Sequence, residues 1–214
     1  NQKPLSEKEA THTSKTKKGT IHFDDEGVCQ ACLYAETKDQ NIDWDERDAQ
    51  LRTVCDKFRS RNGSYDVLVP GSGGKDSFFT AHTLKYKYGM SPLTATWAPH
   101  IYTDWGWQNF QAWIHAGFDN FLFTPNGLVH RVLTRLAFER LFHPFQPFII
   151  GQYFFPVKMA MRFNLPLVFY GENAAEYGGK KDANETALKN LDFLSTKDSG
   201  NVHLGSTSID DLKS

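Results

Sequence analysis

The chain has little cysteine, almost no net charge and no long apolar run, and each shortage removes a class of protein. Three cysteines in 214 residues are odd in number and too few for the disulfide framework that staples small secreted folds. A formal charge of −1 lacks the global basic excess common among nucleic-acid binders, leaving only a local patch to serve that purpose. The longest aromatic and apolar stretch, PFIIGQYFFPV, falls far short of the roughly 20 residues that a membrane-spanning helix needs. Nothing near Asn1 reads as a charged segment followed by an apolar one, the pattern of a secretory signal. The expectation is a reducing, cytoplasmic setting, with no transmembrane segment and no nucleic-acid partner.

What is present suffices for one good-sized domain and an appendage, because 40% of the residues are hydrophobic and 14% aromatic. Residues 1–18, NQKPLSEKEATHTSKTKK, are polar and aperiodic and read as a loose, flexible arm. Residues 19–62 form a second segment. Its TIHFDDEGVCQAC suggests a short strand, an acidic turn over Asp24, Asp25, Glu26 and Gly27, and a knuckle carrying Cys29 and Cys32. A helix follows in IDWDERDAQLRTVCDKFRSR, where Trp44, Leu51, Val54, Cys55 and Phe58 share a face and Asp43 could cap the start. Residues 63–179 carry the main domain. Residues 180–214 turn polar, keep only Phe193 as an aromatic, and read as a peripheral or incomplete segment.

Within the main domain strand and helix alternate. YDVLVP, PLTATWA, DNFLFTP and LPLVFYGEN have strand length and composition, and SFFTAHTLKYKYG and TDWGWQNFQAWIHAGF have helical length. The stretch from Leu128 to Asn164 reads as one or more helices interrupted by Pro144, Pro147 and Pro156. Apolar strands alternating with helices imply an α/β fold, a parallel sheet covered on both faces. Ligands of such sheets bind beyond the carboxyl ends of the strands, and PGSGGKDS stands at one of those ends with a helix directly after it. Glycines let backbone approach a ligand, and the open amides of a helix start attract anions.

Two familiar phosphate loops do not fit. The G-x-x-x-x-G-K-[ST] loop would need glycine at Val69 and a hydroxyl at Asp76, and G-x-G-x-x-G would need glycine at Asp76. What remains is S-G-G-x-D-S, which resembles the pyrophosphate loop of the N-type ATP pyrophosphatases, with their adenine-nucleotide alpha hydrolase fold of the HUP type. The wider order of IHFDDEGVCQAC, IDWDER, YDVLVPGSGGKDS, Thr103-x-x-Gly106-x-x-Asn109, GFDNFLFTPN and YGENAAEYGG is similar to the N-acetyl sugar amidotransferases of bacterial surface-polysaccharide biosynthesis. The similarity runs from about Gly19 to Gly179.

The resemblance implies that ATP is cleaved between its α and β phosphates, that AMP is placed on the acetamido oxygen of a nucleotide-linked N-acetyl sugar, and that ammonia displaces it to give an acetamidino group. Gly71, Ser72, Gly73, Gly74 and Ser77 would cradle pyrophosphate, Lys75 would offset its charge, and Asp76 would hold magnesium through its carboxylate. Lys75, Asp76 and Ser77 are the expected catalytic set. Thr96 and Trp97 end the strand where relatives grip adenine, largely through backbone. Gly171, Glu172 and Asn173 end the fourth strand on the same sheet edge and could close over nucleotide or sugar, and Glu176 could join Glu172 at metal or substrate hydroxyls. The sequence has no glutaminase signature, so the resemblance implies separate glutaminase and cyclase-like subunits as ammonia suppliers.

Cys29 and Cys32 supply half of a four-ligand zinc knuckle. Relatives place another Cys pair upstream, where this chain has EATHTS with His12 as the sole plausible ligand. A tRNA thiolase with the same loop, using C-x-x-C for sulfur chemistry, and an ATP-binding module without turnover are the alternatives. The aromatic run of Phe138, Phe142, Phe145, Phe148, Tyr153, Phe154, Phe155 and Phe163 reads as core first. It reads next as a protein interface such as a homodimer, with Arg131, Arg135, Arg140 and His143 nearby, and last as a stacking surface for sugar or lipid.

Overall fold

A computed structural model describes residues 9–17, 20–172 and 202–213. The chain divides into two compact units, one of Trp44–His130 with Gly151–Glu172, the other of Asn1–Asp43, Arg131–Ile150 and Asn173–Ser214.

The first of these units is built on four parallel strands, β1 (Val67–Pro70), β2 (Pro92–Trp97), β3 (Asn120–Phe123) and β4 (Leu167–Val168), in the order β3-β2-β1-β4. The expected parallel α/β architecture is therefore present. Successive β1 side chains face opposite ways, as the pleat requires. Val67 and Val69 pack with Ala81 and Leu84 of α3 (Lys75–Tyr86), Phe110 and Trp113 of α4 (Asp104–His115), and Cys55 of α2 (Trp44–Phe58). Leu68, with Leu93 and Ala95 of β2, packs with Phe155, Met159 and Ala160 near the end of α6 (Gln146–Arg162). Helices thus cover both faces, which explains why β1 and β2 read as continuous apolar runs. The boundary expected at residues 62–63 falls inside this unit, because α2 commits Cys55 to the core of the sheet.

A polar tie runs through this sheet. Asn120 Oδ1 at the start of β3 lies 2.9 Å from Thr94 Oγ1, 3.1 Å from Thr96 Oγ1 and 3.2 Å from Trp113 Nε1. Both threonines are fully or almost fully buried, and their hydroxyls also reach the Asp119 carbonyl (2.8 Å) and the Gly71 carbonyl (2.6 Å), so the donor that depends on the carboxamide is Trp113 Nε1.

The prolines act differently from one another. Pro144 lies between α5 (Gly127–Leu141) and α6, Pro147 sits in the first turn of α6, where its missing N–H is no loss, and α6 continues through Pro156. The aromatic run divides accordingly: Phe155 is buried, whereas Phe138, Phe142 and Phe145 are exposed.

In the second unit, residues 9–12 are not a loose arm. They form a 3-10 turn (Glu9–Thr11) in which Glu9 and His12 are buried. Gln146, itself fully buried, donates from Nε2 to the Glu9 carbonyl (2.9 Å) and accepts from Gly205 N at Oε1 (2.8 Å). Gly205 turns the hairpin of β5 (His203–Leu204) and β6 (Thr207–Ser208), followed by α7 (Ile209–Lys213). The packing is polar, so apolar periodicity could not reveal it. The unit also contains a helix that the sequence pattern did not announce, α1 (Gln30–Asn41), of whose described side chains only Tyr34 is buried.

Replacing Asn120 with Ala should destabilise the chain by about 1–3 kcal/mol, the usual consequence of leaving a buried donor, here Trp113 Nε1, unsatisfied. Urea denaturation checks this, and an unchanged midpoint would refute the role given to the carboxamide.

Candidate functional site

The turn joining β1 to α3 consists of Gly71, Ser72, Gly73 and Gly74, and its glycines are needed for different reasons. Gly71 N donates to the Ala95 carbonyl of β2 (3.0 Å), and its own carbonyl lies 2.6 Å from Thr96 Oγ1. A Cβ at Gly71 would come within 2.5 Å of Ser77 Cβ. Gly73 has φ +88°, and a Cβ there would lie 2.1 Å from the Asn109 carbonyl oxygen of α4. Gly74 has φ −64° and ψ 153°, which any residue can adopt, and a Cβ would meet nothing within 4 Å. The fold requires Gly71 and Gly73; Gly74 faces open space.

Gly74 is also the N-cap of α3 and, being glycine, supplies no side-chain cap. The first backbone bond of the helix is Phe78 N to Gly74 O (3.0 Å), so the amides of Lys75, Asp76 and Ser77 precede the ladder, the usual orphan donors of a helix start. Together with Gly74 they make an anion-attracting end with room before it. Asp76 Oδ1 accepts from Lys75 Nζ (2.8 Å) on the exposed rim. Ser77 Oγ donates to the Gly74 carbonyl (3.1 Å).

The T-x-x-G-x-x-N stretch supports this turn from α4. Thr103 caps the helix, its Oγ1 accepting from Gly106 N (3.0 Å), and Asn109 one turn later presents the carbonyl against which Gly73 is pressed. From the other side Gly171, just past β4, approaches so closely that its Cβ would lie 2.8 Å from Ser77 N. The structure therefore brings Gly71–Ser77 and Gly171 together, with exposed Glu172 adjoining; Asn173 and Glu176 lie outside the described residues. The Thr96 side chain serves the loop rather than open space. The Trp97 ring stacks on Phe123 (centroids 5.0 Å) and lies so near Gly151 that a Cβ there would be 2.2 Å from it.

Two histidines that no motif singled out meet on the same edge of the sheet. His100 follows β2, and His130 lies in the first turns of α5, which Asn126 caps by accepting from Leu128 N (3.0 Å). Their Nδ1 atoms are 2.8 Å apart and their ring centroids 4.3 Å apart. His100 is exposed and His130 is 7% exposed. Burial lowers the pKa of both below the ordinary histidine value, and the neighbouring His100 charge adds to the effect on His130. Thirty residues separate them, so only the parallel topology, which places the β2 and β3 connections side by side, could have found the pair.

The segment carrying the two cysteines folds back on itself. Phe23 and Cys29 make an antiparallel bridge, and Asp24 Oδ1 accepts from Glu26 N and Val28 N (3.0 and 2.8 Å). Cys29 and Cys32 have Sγ atoms 3.5 Å apart. The Cys32 backbone N–H, and after it the Cys32 thiol, hold the Cys29 thiol below its ordinary pKa, while the thiol–thiol contact pushes Cys32 up. His12 instead lies beside Glu9, its Nδ1 3.8 Å from Glu9 Oε2, and His143 Nε2 is 3.6 Å from the same oxygen. Among the described residues no third His, Cys, Asp or Glu completes a metal-holding group, so two thiols alone do not fit a four-ligand structural zinc.

No protein-family model matches the chain. Over 82 residues, 38% of the chain, it is 30% identical to an uncharacterized protein of Methanocaldococcus jannaschii, and the match covers 28% of that protein's length. No described helix is long and apolar enough to cross a membrane.

The glycine geometry separates two substitutions. Gly73→Ala should cost about 1–3 kcal/mol or more through its positive φ and the Asn109 clash, whereas Gly74→Ala should leave the thermal midpoint within a few degrees. Equal destabilisation by both would contradict the distinction.

Proposed function

We propose that the chain is an ATP-dependent, AMP-forming amidotransferase subunit that converts the acetamido group of a nucleotide-linked N-acetyl sugar into an acetamidino group. The observation that carries this is the S-G-G-x-D-S turn at the carboxyl end of a central parallel strand, opening a helix whose first amides precede its hydrogen-bond ladder and whose N-cap, Gly74, has open space where a side chain would be. A helix start built this way suits a phosphate chain, and the motif order along the sequence suits this family among those that use the loop.

Each residue then has a task. The amides from Gly74 to Ser77, with the hydroxyls of Ser72 and Ser77, hold the β and γ phosphates. Lys75 offsets their charge as the bond to the α phosphate breaks. Asp76 would hold magnesium, a hard cation suited to carboxylate oxygen, which would offset the phosphate charge. The sugar's amide oxygen attacks the α phosphorus and pyrophosphate leaves. An amide oxygen is a poor leaving group and a phosphate ester oxygen a good one, so adenylation prepares the carbon for ammonia. Thr96 fixes the loop through the Gly71 carbonyl, the backbone at Trp97 borders the adenine, and Gly171 and Glu172 lie over the nucleotide or sugar. Ammonia comes from separate glutaminase and cyclase-like subunits, the setting is cytoplasmic, and the exposed Phe138, Phe142 and Phe145 offer a dimer contact.

Pyrophosphate release tests the proposal. With ATP, magnesium, ammonium and the right N-acetyl sugar nucleotide, release should depend on the sugar and fall by about a hundredfold or more in Asp76→Ala, in line with loss of a transition-state charge stabiliser. ATP binding without sugar-dependent release from a broad panel would favour a binding module instead. Free ammonium should support turnover and glutamine should not; turnover on glutamine by the chain alone would contradict the division of labour.

A further inference from the structure

We propose that His100, held by His130, is the base that takes a proton from ammonium in the second half of this reaction; the assignment rests on the amidotransferase reading above. β1 and β2 are adjacent and parallel, with Pro70 opposite Ala95, so the connection carrying His100 leaves the sheet beside the glycine turn. β3 pairs on the other side of β2, with Phe123 opposite Trp97, and its connection leads into the helix that carries His130. The histidine pair therefore belongs to the edge where the adenylated carbon must meet its nucleophile.

The contact between the rings gives them opposite roles. An Nδ1 to Nδ1 distance of 2.8 Å requires one ring to donate and the other to accept. In the working tautomer the exposed His100 donates its Nδ1–H to His130 Nδ1, which places the basic lone pair on His100 Nε2. The buried His130, fixed on a capped helix, sets the orientation and tautomer of His100 and supports the imidazolium once it forms, as an acceptor behind a catalytic imidazole does. His130 is thus a positioning residue. Burial favours the neutral form of both rings, the form a base needs before it acts.

The step balances as follows. Ammonium transfers one proton to His100 Nε2, and the lone pair released on nitrogen attacks the adenylated imidate carbon. The carbon–oxygen bond breaks with its electron pair going to AMP. A second proton passes from the new nitrogen to solvent as the amidinium forms, and His100 then returns its own proton to solvent. Nothing is oxidised or reduced.

A nucleophile that is already uncharged at neutral pH should bypass the base. We would measure sugar-dependent pyrophosphate release by the unsubstituted chain and by His100→Gln, an exposed and conservative change, with ammonium or with hydroxylamine, following both the first equivalent and steady turnover. His100→Gln should form its first equivalent at the normal rate and lose about a hundredfold in turnover with ammonium, the usual worth of a general base. With hydroxylamine it should stay within about threefold of the unsubstituted chain. His130→Gln should show the same split at smaller amplitude. Equal losses with both nucleophiles, a slowed first equivalent, or no loss with ammonium would each overturn the assignment. Absence of release by the unsubstituted chain with every sugar would end the amidotransferase reading and the base role with it, and it is told apart because it appears before any substitution.

Discussion

The backbone of α4 runs so close to the turn between β1 and α3 that a single methyl at Gly73 would sit 2.1 Å from the Asn109 carbonyl. That contact fixes much of the site. The turn can be this tight only with glycine at a positive φ, and a turn this tight starts α3 directly after the strand, so that its first amides project from the sheet edge. Gly71 is held as firmly, by Ala95 and Thr96 on β2 and by Ser77 on the next helix. The ligand-facing element is thus backbone, made rigid by packing on α4, β2 and the segment after β4. An arrangement of amides that needs no rearrangement to meet a charged group is what electrostatic preorganisation requires.

The same contacts recast several motif residues. Thr103, Gly106 and Asn109 form one of the marks of the resemblance along the sequence, and in the fold Thr103 caps a helix, Gly106 supplies the capped amide and Asn109 offers a carbonyl that shapes the glycine turn. Thr96 likewise spends its hydroxyl on Gly71 and lies close to Asn120. A pattern can mark a site because it builds the wall behind it. Asn120 extends the wall by joining β2, β3 and α4 through one carboxamide, a role that its place in the GFDNFLFTPN stretch did not reveal.

The parts legible in the sequence were those governed by apolar burial or glycine chemistry. β1 and β2 announce themselves because both faces are covered, and α3 because a glycine turn precedes it and Gly89 follows it at φ +63°. α1 was not legible, since one buried Tyr34 gives no stripe. The packing of residues 9–12 was hidden for a related reason: Glu9, His12 and Gln146 are buried through polar contacts that no hydropathy pattern encodes. His100 and His130 were invisible because their meeting is a product of strand order. The knuckle could be read from Asp24, Gly27 and the cysteine spacing, but that spacing could not tell that His12 packs beside Glu9 and His143.

The most direct test of the account is to record amide chemical shifts of the labelled chain while magnesium pyrophosphate is added. If the helix start is an anion site, the amides of Gly74, Lys75, Asp76 and Ser77 should shift together and saturably, with Gly171 responding through its contact with Asp76 and Ser77. Shifts scattered over surface lysines, with the glycine turn unmoved, would contradict it.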